Sequence, residues 1–261
     1  LLEVDLHLIT IDQNLIQNVI QCIKRCQLDL TGVTFSPYTA GIASLIEDEL
    51  QLGATCIDIG GGCTGITIFL QNQLIYASNV ELGGISVTKD IAQAFHISFD
   101  EAERVKNLHG GLIANTMDDR EVIELPNSTL EWNTERLTIT RSELIGIIRP
   151  RMEEILEEVK IQLDAAGFDK MDSQKIVLTG GSCQIPGLYD LSAKILGPSI
   201  RIARPIRLQG LPHATNGPEF ASAIGLALHA GHPQDEWWDF KMPLERQGLA
   251  KFSGFFRWFI N

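Results

Sequence analysis

The chain has 261 residues, 44% hydrophobic and 21% charged, an ordinary globular balance that excludes collagenous, low-complexity and wholly disordered classes. Its formal charge of -12 opposes a broad nucleic-acid-binding face, because phosphates attract basic surfaces, so no nucleic acid is expected among its partners. Five cysteines without a CxxC pair or zinc-like spacing argue against a disulfide scaffold or structural metal site, and no apolar run reaches the roughly 20 residues a membrane-crossing helix needs.

Residues 4–10 (VDLHLIT) alternate in polarity as a half-buried strand does. The chain opens at Leu1 inside that strand, so an N-terminally truncated piece of a longer protein is expected. Asp12 is placed to cap the next helix, where Leu15, Ile16, Val19, Ile20 and Ile23 form one apolar stripe. Gly32 is expected to end that helix and Val33 to Phe35 to return as a short strand. Ala54–Ile59, Ile66–Leu70 and Leu74–Asn79 then read as strands, the first two separated by Gly60, Gly61 and Gly62 and the last two by a turn at Asn72.

A helix is expected from Gly83-Gly84 to Phe95, and another after Ser98, whose partner Glu101 completes a capping-box pattern, ending near Gly110. Residues 111–140 are more polar, with strand alternation at Val122–Leu125 and Leu137–Ile139. Thr140 and Glu143 repeat the capping-box pattern at the head of a long helix that runs toward Gly167 and that Pro150 should kink. A buried strand at Ile176–Leu178, a helix at Gly187–Leu196, a strand at Ile200–Ala203 and a small-residue helix at Phe220–Leu228 follow. Alternating helices and strands predict an α/β sheet.

Two glycine turns carry the chemistry. An apolar strand bearing Asp58 runs into Gly60, Gly61, Gly62 and Thr64, where unhindered N–H groups can converge on phosphate oxygens and the carboxylate can hold a magnesium ion directly or through water. No GK[ST] follows and no helix opens there, so this is neither a Walker loop nor a dinucleotide fingerprint. A tight hairpin needing positive φ values would give the same glycines. A second strand, Ile176–Thr179, runs into Gly180, Gly181 and Ser182, and two such loops facing each other make a nucleotide cleft.

The blocks CIDIGGGCTGITIF, ELGGISVTKDIAQAF, EAERVKNLHGG, IVLTGGSCQIPGL and PEFASAIGLAL stand in the order and spacing of the second lobe of the actin, Hsp70 and sugar-kinase superfamily. Within it they most resemble the FtsA family of bacterial cell-division proteins, from Val4 to about Gly231 and in the tail. The resemblance implies an actin-like (ribonuclease H-like) α/β ATPase fold, with the second lobe complete and the first partial. Residues 1–52 would be a remnant of the first lobe, 53–111 and 176–210 the nucleotide-binding second lobe, and 112–175 an inserted subdomain. Residues 211–231 would return to the first lobe, and 232–250 would link to a helix at 251–261.

By the same resemblance, Gly60, Gly61, Gly62 and Thr64 form the second phosphate loop, Asp58 faces the metal, Glu103 and Lys106 contact ribose and adenine, and Gly180, Gly181 and Ser182 form the adenosine loop. The cofactors implied are ATP and Mg2+, with at most a weak ATPase activity. Two departures stand out: Cys63 and Gly65 replace a threonine and the closing aspartate of the family's usual loop. The implied role is a self-polymerising protein that binds the C-terminal peptide of FtsZ, joins other division proteins and tethers the FtsZ ring to the inner face of the cytoplasmic membrane at the septum. A pilus-assembly adaptor without a lipid-binding tail, and a sugar or acetate kinase, are the alternatives.

In the tail, Phe252, Phe255, Phe256 and Phe259 follow i, i+3, i+4, i+7, with Trp258 and Ile260 beside them and Lys251 and Arg257 available for anionic headgroups. So short a helix binds a membrane weakly, and many copies along a filament bind firmly. Arg149, Arg151 and Lys160 on the long helix could meet an acidic peptide, although Glu153, Glu154, Glu157 and Glu158 offer them partners in the chain itself. Cys22 and Cys26, and His7, His96 and His109, are given no role.

Overall fold

A computed structural model describes residues 8–115, 117–125, 138–168, 175–206 and 215–231. The chain divides into two compact units, residues 1–10 with 34–232 and residues 11–33 with 233–261. In the second unit the described helix is α1 (Gln13–Arg25), opened by Asp12, whose carboxylate accepts the Asn14 N–H at 2.7 Å. It stops before Gly32 because the Cys26 N–H turns back onto the Cys22 and Ile23 carbonyls and Gln27 adopts a φ of 58°.

The larger unit is built on a five-stranded sheet in the order β3-β2-β1-β6-β7. Its strands are β1 (Ala54–Ile59), β2 (Thr64–Leu70), β3 (Gln73–Val80), β6 (Lys175–Thr179) and β7 (Ile200–Ile202). The first three form an antiparallel meander, and β6 pairs with β1, and β7 with β6, in parallel. The β2–β3 turn falls on Gln71 and Asn72, both in the left-handed region at φ 53° and 63°, the conformation a two-residue hairpin requires. Strands β1 and β2 are buried almost throughout, whereas the edge strand β3 is largely half-exposed or exposed.

Alternate residues of the central strands feed two cores. Ile57, Ile59, Ile66, Ile68 and Leu178 face one side, with α4 (Gly84–Phe95), α5 (Phe99–His109), α6 (Arg141–Ala165) and α7 (Leu188–Leu196) contributing to the same cluster. Ala54, Cys56, Phe69 and Val177 face the other, with Leu45 and Leu50. Each fully buried Ile or Leu contributes about 1.5–3 kcal/mol, so this double-sided burial outweighs any single polar contact in holding the sheet. Two short helices, α2 (Ser36–Ser44) and α3 (Glu47–Leu52), supply much of the second layer, and α8 (Ala221–Gly231) packs on α2.

The caps expected for α5 and α6 are formed: Ser98 accepts the Glu101 N–H, and Thr140 and Glu143 make a reciprocal capping box. Helix α6 continues through Pro150 as one 25-residue element. The carbonyl that loses its donor there belongs to Gly146, four residues earlier, and both residues are exposed, so water can take its place. In the 112–175 segment, β4 (Val122–Glu124) and β5 (Thr138–Thr140) pair as a separate two-stranded sheet, while α6 buries Leu144, Ile148, Met152, Leu156 and Val159 in the core shared with the five-stranded sheet.

Two expectations are corrected. Residues 8–10 and Val33–Phe35 form no strand, the rest of the 4–10 segment lying outside the described residues. A strand exists only where a neighbour takes its N–H and C=O groups, and Phe35 instead caps α2. On α6 the in-chain pairing that the sequence offered is found: Arg151 bonds Glu154 and also holds Asp90 of α4 through two bonds, at 2.6 and 3.0 Å. Arg149 pairs with Glu153 at 2.7 Å, and Lys160 is exposed.

Gly65 explains one departure in the phosphate-loop pattern. A Cβ built on it would stand 2.0 Å from the Pro37 ring of α2, so no side chain fits while Pro37 stays in place. Gly65→Asp, which would restore the family's acidic residue, is therefore expected to destabilise the fold by at least about 2 kcal/mol through overpacking and an added buried charge. Denaturant midpoints measure this, and the double variant with Pro37→Gly should recover part of the loss. An unchanged midpoint for Gly65→Asp alone would contradict the steric account.

Candidate functional site

Strands β1 and β6 run parallel and adjacent, with Asp58 in register with Thr179, so the glycine turns that follow them emerge side by side. The Gly60 carbonyl joins them: it accepts the Ser182 hydroxyl at 3.0 Å and the Gly84 N–H, at the start of α4, also at 3.0 Å. The Gly61 carbonyl accepts the Ile85 N–H at 2.8 Å. The first turn is thus fixed both to α4 and to the short 3-10 turn Gly181–Gln184. At Gly180 the φ of 93° is left-handed, and a Cβ would fall 2.5 Å from an Asp58 carboxylate oxygen, which requires glycine twice over.

A cavity of about 500 Å³ opens between these turns and helices α4 and α5. Gly61, Glu103, Lys106, Gly181 and Ser182, five of the residues singled out by sequence, line it. Ile85, Phe99, Ile185 and Pro186 give it an apolar side. The two loops therefore share one crevice, with glycine backbone at one end and a carboxylate-bearing helix at the other. Gly60, Gly62 and Gly180 belong to the same turns without lining the cavity.

Thr64 stands elsewhere than expected. It is fully buried in β2, and its hydroxyl donates to the Leu82 carbonyl at 2.9 Å, tying the hairpin to the segment that leads into α4. Asp58 lies beneath the loops and accepts the Ser222 hydroxyl of α8 at 2.8 Å. Burial pushes its carboxyl pKa up, and the Ser222 bond only partly opposes this. Cys63 is exposed in the hairpin, where partial burial and the Asp58 charge raise its thiol pKa, so it stays protonated at neutral pH. Cys56 and Cys183 are fully buried thiols pushed the same way.

On the helical wall, Lys106 is only 9% exposed. Its ammonium donates to Glu103 at 2.6 Å, to the Thr88 hydroxyl at 2.7 Å and to the Gly84 carbonyl at 3.1 Å. Thr88 reaches the same Glu103 oxygen at 2.5 Å, and Asn107 donates to the other at 3.2 Å. Burial would raise the Glu103 pKa, but the Lys106 and Thr88 hydrogen bonds outweigh it and hold the carboxyl below its usual range, so it is ionised at neutral pH. Sequence reasoning missed Thr88 and Asn107. The readable signal was spacing, since Asn107 follows Glu103 by one helical turn and Thr88 follows Gly84 likewise. Among the described residues no cluster of three or more His, Cys, Asp or Glu side chains suits a metal ion, and no helix is long and apolar enough to cross a membrane.

Comparison with known proteins agrees with this geometry. A family model described as "Cell division protein FtsA" matches residues 55–225. The cell division protein FtsA of Rhizobium meliloti (strain 1021) is 36% identical over 228 residues, covering 87% of this chain and 52% of the relative. That of Bacillus subtilis (strain 168) is 34% identical over 247 residues, covering 94% and 54%. The chain thus spans about half the length of the curated relatives it matches. Among solved structures, MreB5 of Spiroplasma citri bound to ADP aligns with a TM-score of 0.67 at 17% identity, over 85% of this chain and 66% of that one. The PilM–PilN type IV pilus biogenesis complex aligns with a TM-score of 0.62 at 20% identity, over 85% and 59%. The fold is actin-like, as the motif order implied, and with the family model and these relatives in agreement the chain belongs to the FtsA family of cell division proteins.

Proposed function

We propose that this chain carries the adenine-nucleotide site of a filament-forming division protein that binds the FtsZ C-terminal peptide and holds the FtsZ ring, with other division proteins, at the inner face of the cytoplasmic membrane. The observation that carries the nucleotide part is the shared cavity between the Gly60–Cys63 and Gly180–Gln184 turns. The MreB5 structures bound to ADP and to AMPPNP have the same fold and add support. ATP would lie with its phosphates toward the Gly60–Gly62 turn and its nucleoside toward the Gly180–Ser182 turn, Glu103, Phe99 and Ile185. The FtsZ-peptide, membrane and filament parts rest on the family and on the sequence of the tail, whose residues 251–261 lie outside the described ones.

Asp58 suits a magnesium ion held partly by the phosphates. Its carboxylate is largely buried, has Ser222 as its hydrogen-bond partner and has no neighbouring cation that lowers its pKa. A bound Mg2+ would supply the charge that neutralises it and the phosphates, directly or through water. The residues give less support to rapid hydrolysis, since Gly65 stands where the family's loop closes on an aspartate.

Three measurements on the full-length protein test this reading. A Cβ on Gly181 would meet only the Glu219 side chain, at 3.6 Å, so Gly181→Val should leave the unfolding midpoint nearly unchanged while lowering ATP affinity at least roughly ten-fold. Equal ATP binding by calorimetry would refute the placement of the nucleotide. Asp58→Asn should act with opposite signs. A folded-state pKa raised above the unfolded value means that stability falls as pH rises through that range, so the variant should melt higher than wild type at pH 7 without ligand. Its gain in Tm from Mg2+ and ATP should be smaller. For the tail, liposome flotation should be lost when residues 251–261 are removed, and equal flotation would refute the anchor.

A further inference from the structure

One side chain joins the two glycine turns. Ser182, in the second turn, donates its hydroxyl hydrogen to the Gly60 carbonyl of the first at 3.0 Å, across 122 positions of sequence. A serine hydroxyl has one hydrogen, so Ser182, although it lines the cavity, has none left for a ligand while this bond stands. The hydroxyl is also lodged against α4, since a Cβ built on Gly84 would stand 2.5 Å from Ser182 Oγ. The Gly60 carbonyl takes a second donor, the Gly84 N–H, also at 3.0 Å, so both its lone pairs are used and two elements set the plane of the Gly60–Gly61 peptide. That peptide is trans, and in a trans peptide the N–H points opposite to the C=O. The Gly61 N–H is therefore turned away from Ser182 and Gly84. It belongs to an exposed residue that lines the cavity, and it donates to no acceptor among the described residues.

We propose that Ser182 is a positioning residue for the phosphate end of the site. By holding the Gly60 carbonyl it aims the Gly61 N–H at a phosphate oxygen of the ligand, and it does so from the turn that lies toward the nucleoside. The sequence resemblance implies a place for Ser182 in the adenosine loop; its hydroxyl acts instead one peptide away from the phosphates. Glycines on both sides of the 60–61 peptide give its plane wide freedom, so without the Ser182 donor it can tilt about the single remaining bond to Gly84. An N–H already held in the binding direction does not have to be ordered when the ligand arrives. The same bond makes the two turns one unit, and a ligand that spans them meets both in a fixed register. This rests on the nucleotide reading and adds to it the residue that pre-orients the phosphate turn.

The test is competition on the full-length protein with Mg2+ present, a fluorescent ATP analogue being displaced by ATP, by inorganic tripolyphosphate and by adenosine. Ser182→Ala should weaken ATP and tripolyphosphate by the same factor, roughly two- to ten-fold for the loss of one hydrogen bond, and leave adenosine unchanged. Gly84→Ala gives a second route, because its Cβ would push the Ser182 hydroxyl aside without removing it, and it should weaken ATP and tripolyphosphate in the same way. In the double variant the added methyl meets no hydroxyl. Its loss should be no greater than that of Ser182→Ala alone, the non-additivity expected of two changes that act through one bond. This cycle decides the question where adenosine or tripolyphosphate displaces the analogue too weakly to measure, and Gly84→Ala alone decides it where Ser182→Ala folds poorly. Adenosine weakened in the same proportion as ATP would overturn the positioning role and return Ser182 to the nucleoside. Unchanged affinities, or single losses that add in the double variant, would overturn it as well and leave the nucleotide site standing. Failure of wild type to bind the analogue or ATP would overturn both.

Discussion

The parallel pairing of β1 with β6 is the constraint on which the site depends. Strand β1 has an antiparallel neighbour on one side and a parallel one on the other, so the chain leaves β1 by a hairpin while the turn after β6 departs toward helices on the opposite flank. Crevices form at the carboxyl ends of strands where connections diverge in this way. The Gly60 carbonyl then fixes the separation of the two turns, because its two lone pairs serve the Gly84 N–H and the Ser182 hydroxyl together. Shifting the β1–β6 register by one residue would separate Asp58 from Thr179, turn the core-facing isoleucines of β1 to the wrong layer and break this link at once. Core packing and site geometry are therefore specified by the same pairing.

The site also concentrates groups that a fold without a ligand would do better to avoid. Asp58 is a mostly buried carboxylate supported by one hydroxyl, and its raised pKa is the sign of that cost. Glu49 shows the contrast. It too is buried, which alone would raise its pKa, but Arg201 holds it at 2.7 Å and through a second short bond, the Ile46 N–H adds a third, and its pKa falls instead. One carboxylate is fully satisfied by the protein and the other is left short of partners. A carboxylate left with one hydroxyl partner is stabilised less by the protein than one held by a guanidinium, and the opposite directions of the two pKa shifts record that difference.

Much of this was legible in the sequence because local signals and tertiary demands agreed. The hairpin turn at Asn72, the caps at Asp12, Ser98 and Thr140, and the paired glycine turns each follow from a residue's own stereochemistry. Helices α2 and α3 were not legible. Pro37, Thr39, Ala40, Gly41, Ala43 and Ser44 of α2 are all buried, so no polar face generates a periodic signal, and α3 is under two turns long. The strand expected at Val33–Phe35 failed for the complementary reason, since apolar alternation marks a segment able to pair without supplying its partner. Thr64 was assigned to the loop by its place after three glycines, but residue parity in β2 turns it inward to Leu82. In the wall, Glu103 and Lys106 could be read from the sequence, but the hydrogen bonds that hold Lys106 could not, because its acceptors Gly84 and Thr88 lie on another helix.

That internal pairing bears on how a polyanion could be held at all. The chain carries a formal charge of -12, and among the described residues lining the cavity Lys106 is the only lysine or arginine. Its charge is compensated by Glu103 at 2.6 Å, so it contributes little field at the glycine turns. A nucleotide seated here would draw on backbone N–H dipoles and on a divalent ion rather than on side-chain cations from this wall. The glycine turns offer backbone N–H groups, whereas Thr88, Glu103, Lys106 and Asn107 form a wall whose charges cancel and whose hydrogen bonds are largely made within the protein. The wall and the first turn are nevertheless mechanically joined at Gly84, whose carbonyl accepts from Lys106 and whose N–H donates to the Gly60 carbonyl, so a change in the wall is transmitted to the turn through the first residue of α4.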